Sequence, residues 1–293
     1  MNEDQAPTPW PTVGELGERG VLSRVLAQLS AADAASVGPG DDAAVLSIDG
    51  ELVITSDTMI EGPDFRLQWH AGYDLGWKLA ATNLSDVAAM GARPIALTVS
   101  LACPAGTRVA LLEEIARGLD EACRALAPGC GVVGGDLGTA PVLTAAVTAL
   151  GDLQGRAAVL RSGAKPGDVV AYCGQLGLAG LGLAQLFAGD VPANGDRVGA
   201  DPGAGAGAEP GADPDAQHSP ALAAQLRPQA PVSAGVSAAE AGATAMMDVS
   251  DGLSLDAQRM AEASGVMLDF TADQLRAAFG EQQGVRVPID AML

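Results

Sequence analysis

Tyr73-Asp74-Leu75-Gly76-Trp77-Lys78-Leu79-Ala80-Ala81-Thr82-Asn83-Leu84-Ser85-Asp86-Val87-Ala88-Ala89-Met90-Gly91-Ala92-Arg93-Pro94 reads as one helix followed by its stop. Leu75, Leu79, Leu84 and Val87 recur at helical spacing and mark the buried side, and Gly91 and Pro94 end the run. A strand is expected next at residues 95–101, then a second amphipathic helix at 109–126. Asp86 sits mid-helix among apolar residues, where an unpaired carboxylate is costly, so a functional role outweighs a purely structural one there.

Upstream, Thr12 and Glu15 have the spacing of a capping box. Residues 43–48 and 52–56 flank Asp49-Gly50 and predict a hairpin whose second strand delivers Asp57 to a loop. Downstream, residues 132–133 form a short strand leading into Gly134-Gly135-Asp136, whose glycines would let backbone amides approach a phosphate closely, and 142–150 another strand. A new unit begins near Arg161, with strands expected at 169–173, 245–247 and 266–270 and helices at 178–187, 253–264 and 272–279. Residues 189–217 hold too little apolar surface to offset their ordering entropy and read as a disordered loop within that unit. The alternation predicts an α/β chain of α+β layers in two domains, residues 1–150 and 151–293.

Of the 293 residues, 48% are hydrophobic but only 3% aromatic, so the core is built from Ala, Val and Leu. The formal charge of −20 argues against nucleic acid or an anionic membrane as partner, because phosphates would be repelled. Cys103, Cys123, Cys130 and Cys173 lack metal-site spacing and read as free thiols of a cytoplasmic protein. The first residues show neither a basic segment nor an apolar one, so no signal peptide is expected. His70, beside Trp69, is expected on the surface.

Five acidic stretches remain: Gly40-Asp41-Asp42-Ala43, Thr55-Ser56-Asp57-Thr58, Asn83-Leu84-Ser85-Asp86, Gly134-Gly135-Asp136 and Asp248-Val249-Ser250-Asp251-Gly252. Carboxylates beside hydroxyls are the oxygen donors that Mg²⁺ takes, and Mg²⁺ most often accompanies phosphate. Each stretch also has a plainer reading. Asp41, Asp42, Asp57 and Asp136 suit turns, and Ser250 or Asp251 suits the N-cap of the helix at 253.

Taken in order with Asn83–Pro94 and Arg161-Ser162-Gly163-Ala164-Lys165-Pro166-Gly167-Asp168, these stretches resemble thiamine-monophosphate kinases, from about Val13 to about Phe270. The resemblance implies a homodimer whose N-terminal domains form a β-barrel, followed by a C-terminal α/β domain. It implies ATP and Mg²⁺ in the cleft and thiamine monophosphate as acceptor. Asp42, Thr55, Ser56 (through its backbone), Asp57, Asp86, Asp136, Asp248 and Asp251 would hold metal; Gly135, Asp136, Arg161 and Ser250 would contact ATP; Asp57, Asp86 and Asp136 would carry catalysis. Asp64 stands in Gly62-Pro63-Asp64-Phe65, where the family usually has a substrate-binding His. The family's later Gly-Gly-Glu-Asp segment is absent, so the C-terminal domain reads as truncated. Two alternatives stay open: another ATP-using synthetase of the superfamily, and a non-catalytic ATP-binding paralogue.

Overall fold

A computed structural model describes residues 10–189 and 218–293. The Thr12 capping box forms, with Glu15 accepting the Thr12 N–H at 2.8 Å, and opens α1 (Val13–Leu26), which kinks at Gly17. A short antiparallel pair follows, β1 (Ala35–Val37) with β2 (Val45–Leu46). The main sheet contains β3 (Leu52–Ile60), β4 (Arg93–Cys103), β5 (Gly131–Thr139) and β6 (Thr144–Asp152) in the order β3-β6-β4-β5. Between β3 and β4 runs α2 (Gly72–Ala89), and between β4 and β5 runs α3 (Val109–Leu126). The β4–α3–β5 unit is parallel, and β6 enters antiparallel between β3 and β4.

Helices α2 and α3 touch almost backbone to backbone. A Cβ on Gly76 would stand 2.0 Å from the Ile115 carbonyl oxygen, and one on Gly118 would stand 2.1 Å from that of Tyr73. The leucines of α2 and the apolar face of α3 can then close on the inward residues of β4 and β6 as one core.

The second half is mainly helical among the described residues: α4 (Leu178–Ala188), α5 (Pro220–Leu226), α6 (Val232–Glu240), α7 (Leu253–Ser264), α8 (Ala272–Phe279), the pair β7 (Glu281–Gln282) and β8 (Val285–Arg286), and α9 (Ile289–Met292). A smaller core gathers Leu176, Leu178, Leu253, Leu275, Val287 and Met292. α2 joins the halves. Trp77 Nε1 donates to the Pro228 carbonyl at 2.9 Å, the buried Asp74 pairs with Arg227, and a Cβ on Gly235 would meet the Ala88 carbonyl oxygen at 2.1 Å.

Several expectations are corrected. The local hairpin does not form: β3 pairs with β6 over nine rungs, far more than the two-residue β2 could offer, and β2 pairs with β1. Asp57 therefore lies inside a strand, and so does Gly134-Gly135-Asp136, where a Cβ on Gly135 would meet the Val99 carbonyl oxygen at 1.9 Å. Gly135 serves close strand approach rather than a turn. Residues 169–173, 245–247 and 266–270 join no ladder; Val169 is 91% exposed and Met267 88%, so strand-like composition there meets no partner edge. His70 is 2% exposed, edge-on to Phe65, not on the surface. The main sheet is open, ending in β3 and β5, and no barrel closes among the described residues. All four cysteines are free, and no helix among the described residues is long and apolar enough to cross a membrane. Apart from Gly189, the expected disordered loop lies outside the described residues.

The glycine contacts make a signed prediction. Ala in place of a mid-helix Gly ordinarily stabilises by about 0.5–1 kcal/mol. Gly76→Ala should instead destabilise by about 1–3 kcal/mol, read from the urea midpoint. A variant as stable as wild type would contradict this packing.

Candidate functional site

The end of α2 faces β3 and the segment before α7 across a cavity of about 290 Å³, lined by Val53, Thr55, Asp86, Arg161, Met247 and Asp248 among others. The buried stripe of α2 fixes the rotation of the helix, and that rotation turns Asp86 toward the sheet. Thr55 Oγ1 donates to Asp86 Oδ2 at 3.2 Å. Asp57 lies two residues farther along β3, on the same face as Thr55.

Burial chiefly, then the charges of Asp248 and Asp57, push the Asp86 carboxyl up to about 6. Burial also raises Asp248, while the Arg161 charge opposes the rise. Carboxyls crowded in a half-buried cleft, with one guanidinium near, make a site that favours either a shared proton or a cation.

The second acidic group lies apart. Asp41, Asp42, Gly135 and Asp136 border a largely apolar cavity of about 370 Å³ between α1, α3 and the β4–β5 edge. Asp57 shares its rung with Val147, Val99 and Gly135, so Asp136, one residue on, points to the opposite sheet face. Ser56 also points away from Asp86, its hydroxyl donating to the Val147 carbonyl at 3.1 Å. Among the described residues no three Asp, Glu, His or Cys side chains gather closely enough to hold a metal alone. Thr55, Asp57, Asp86, Asp248 and Arg161 thus converge; Asp42, Gly135 and Asp136 form another cluster.

A family model described as AIR synthase related protein, N-terminal domain, matches residues 40–153. The thiamine-monophosphate kinase of Mycobacterium tuberculosis is 40% identical over 271 residues, covering 92% of this chain and 73% of that protein. This chain belongs to the thiamine-monophosphate kinase family of enzymes. A crystal structure of the Stenotrophomonas maltophilia K279a thiamine-monophosphate kinase aligns with TM-score 0.63 at 33% identity, over 84% of this chain and 70% of that one. A structure described as AaThiL complexed with AMPPCP and TMP aligns with TM-score 0.62 at 26% identity, over 98% and 84% respectively.

Within this thiamine-monophosphate kinase family member, Asp64 closes a turn: its Oδ2 accepts the Ile60 N–H at 2.8 Å. Its charge also acts on Lys78, whose ammonium is held below its ordinary range by burial. Lys78 went unnoticed in the sequence because a lysine in an amphipathic helix normally reads as solvated. Asp251 is engaged by Arg259 at 2.6 Å. Neither it nor Ser250 caps α7, whose N-cap is Gly252. Ser250 and Asp251 instead donate their backbone N–H groups to Asp256, which the motif reading also missed.

The raised Asp86 has a linked consequence. Its folded value, about 6, lies above the ordinary 3.8, so the folded chain holds an extra proton between them. That contribution to stability is present at low pH and is lost as pH rises through the folded value. In chelator, Asp86→Asn should melt close to wild type near about pH 4 and above it near about pH 7.5. A pH-independent difference in melting temperature would refute the crowding of these carboxyls.

Proposed function

We propose that this chain transfers the γ-phosphoryl group of ATP to thiamine monophosphate, giving thiamine diphosphate, in a Mg²⁺-dependent, direct in-line reaction. The observation that carries the proposal is the cleft pairing Asp86 with Asp248 beside Thr55, Asp57 and Arg161, in a chain of this family. A related structure described with both a nucleotide analogue and TMP supports the two-substrate reading.

The donors fit Mg²⁺, which is usually held by one or two carboxylates plus substrate phosphates rather than by an all-protein cage. Asp86 and Asp248 would hold it here together with the substrate phosphates, with Thr55 orienting Asp86 and Asp57 adding its charge from the same face of β3. Bound Mg²⁺ would supply neutralisation of phosphate charge. The chain's own work is positioning. Arg161 adds a fixed cation at the cleft, and the buried side of α2 holds Asp86 against its like-charged neighbours. The acceptor phosphate, with a second pKa of about 6, is already anionic near neutrality, so no general base is required. The apolar cavity bordered by Asp42, Gly135 and Asp136 is of a size to take a nucleoside, and Ser250, in the loop of the separate Asp86–Asp248 cleft, would meet the phosphates.

Assembly as a homodimer in the cytoplasm belongs to the same proposal. Edge strand β3 leaves Ile54 60% exposed, with Leu52 and Ile60 on the same face, so a second copy has an apolar edge to cover.

ADP release should depend on both thiamine monophosphate and Mg²⁺. Asp57→Asn and Asp86→Asn should each lower kcat by about a hundredfold or more while the chain stays folded. Near-normal turnover in both variants would remove the metal assignment. Stabilisation by Mg-ATP without turnover, restored to turnover by Asp64→His, would instead mark a nucleotide-binding chain whose acceptor side is impaired.

A further inference from the structure

Asp256 is 1% exposed, and every oxygen it owns is in use. Oδ2 accepts the backbone N–H groups of Ser250 and Asp251, each at 2.9 Å. Oδ1 accepts Arg259 Nη1 at 2.6 Å, and that same nitrogen reaches Asp251 Oδ2 at 2.6 Å. A carboxylate that merely capped α7 would bond the N–H groups of the helix's own first turn. These bonds go instead to two residues before the N-cap Gly252, that is, into the loop that carries Asp248.

The loop's other anchors are neutral contacts: Val249 packs against the smaller core. Gly252 adopts φ +101°, and a Cβ there would meet the Leu293 carbonyl oxygen at 2.9 Å, so the chain turns sharply into α7. Upstream, Met246 donates its N–H to the Leu160 carbonyl at 3.4 Å, a long bond from a segment outside any ladder. Charge-assisted bonds from a buried carboxylate are about twice as strong as neutral ones, which makes Asp256 a strong tie on residues 250 and 251, two and three positions from Asp248.

We infer that Asp256 is a positioning residue for the cleft: it fixes residues 248–252 so that the Asp248 carboxylate faces Asp86, while Arg259 draws Asp251 toward α7. The catalytic meaning of this role rests on the kinase reading above; the loop geometry does not.

The test is Asp256→Asn, which keeps the side chain's size and replaces an accepting oxygen by a donor. Amide hydrogen exchange at Ser250 and Asp251 should speed by about tenfold or more with exchange across α7 unchanged. At a temperature where the variant is fully folded, kcat for thiamine-monophosphate-dependent ADP release should fall by about tenfold or more. Loop and α7 loosening together, or a loosened loop with unchanged kcat and KM, would overturn the inference. If Asp256→Asn does not fold, Arg259→Gln, at a half-exposed position, decides by the same readouts, with a smaller loss of about threefold expected. A wild-type chain without this turnover would remove the kinase reading, and exchange alone would then decide whether Asp256 fixes the loop.

Discussion

The contact on which the rest of the molecule depends is the near-backbone approach of α2 to its neighbours. Gly76 and Gly118 let α2 and α3 close on each other, and Gly235 lets α6 close on Ala88. No side chain can stand in those gaps. The interior is therefore built on shape more than on bulk, in keeping with a chain that has few aromatic residues. Such packing leaves α2 little freedom to rotate or slide, and that restriction sets where Asp86 points.

Asp86 is unfavourable where it stands. It is half-buried, and its neighbours Asp248 and Asp57 share its charge. A loosely held helix would relieve the repulsion by turning away. Here the leucines of α2, the Trp77–Pro228 hydrogen bond and the Asp74–Arg227 pair hold it from both halves of the chain. On the opposite wall, Asp256 and Arg259 hold the Asp248 loop. The cleft is thus a repulsive arrangement maintained by packing on one side and by charge-assisted hydrogen bonds on the other, the condition in which a divalent cation between phosphate and carboxylate gains most.

Much of this was legible in one dimension. The α2 boundaries follow from leucine spacing and the glycine stop, the Thr12 cap from its Glu15 partner, and α3 from its amphipathic period. Pairing was not legible. Asp49-Gly50 does mark a turn, yet it joins strands that belong to different sheets. Gly134-Gly135 reads as a turn until the Val99 carbonyl against it is seen. His70 was expected on the surface, and nothing in the sequence singled out Lys78, because local spacing does not report what packs over a helix from residues far along the chain.

The sequence by itself determined α1 to α4, α7 and α8, the strand–helix alternation of the first half and the inventory of oxygen donors, because capping, periodicity and ligand chemistry are local properties; α5, α6 and α9 and the helical character of the second half were not legible there. Tertiary structure alone decided which donors meet. It drew Thr55, Asp57, Asp86 and Asp248 to one cleft and left Asp42 and Asp136 at another, and it recruited Asp256 to fix the loop. Strand register assigns each side chain to one face or the other of a sheet, and register is set by long-range pairing that no short stretch of residues contains.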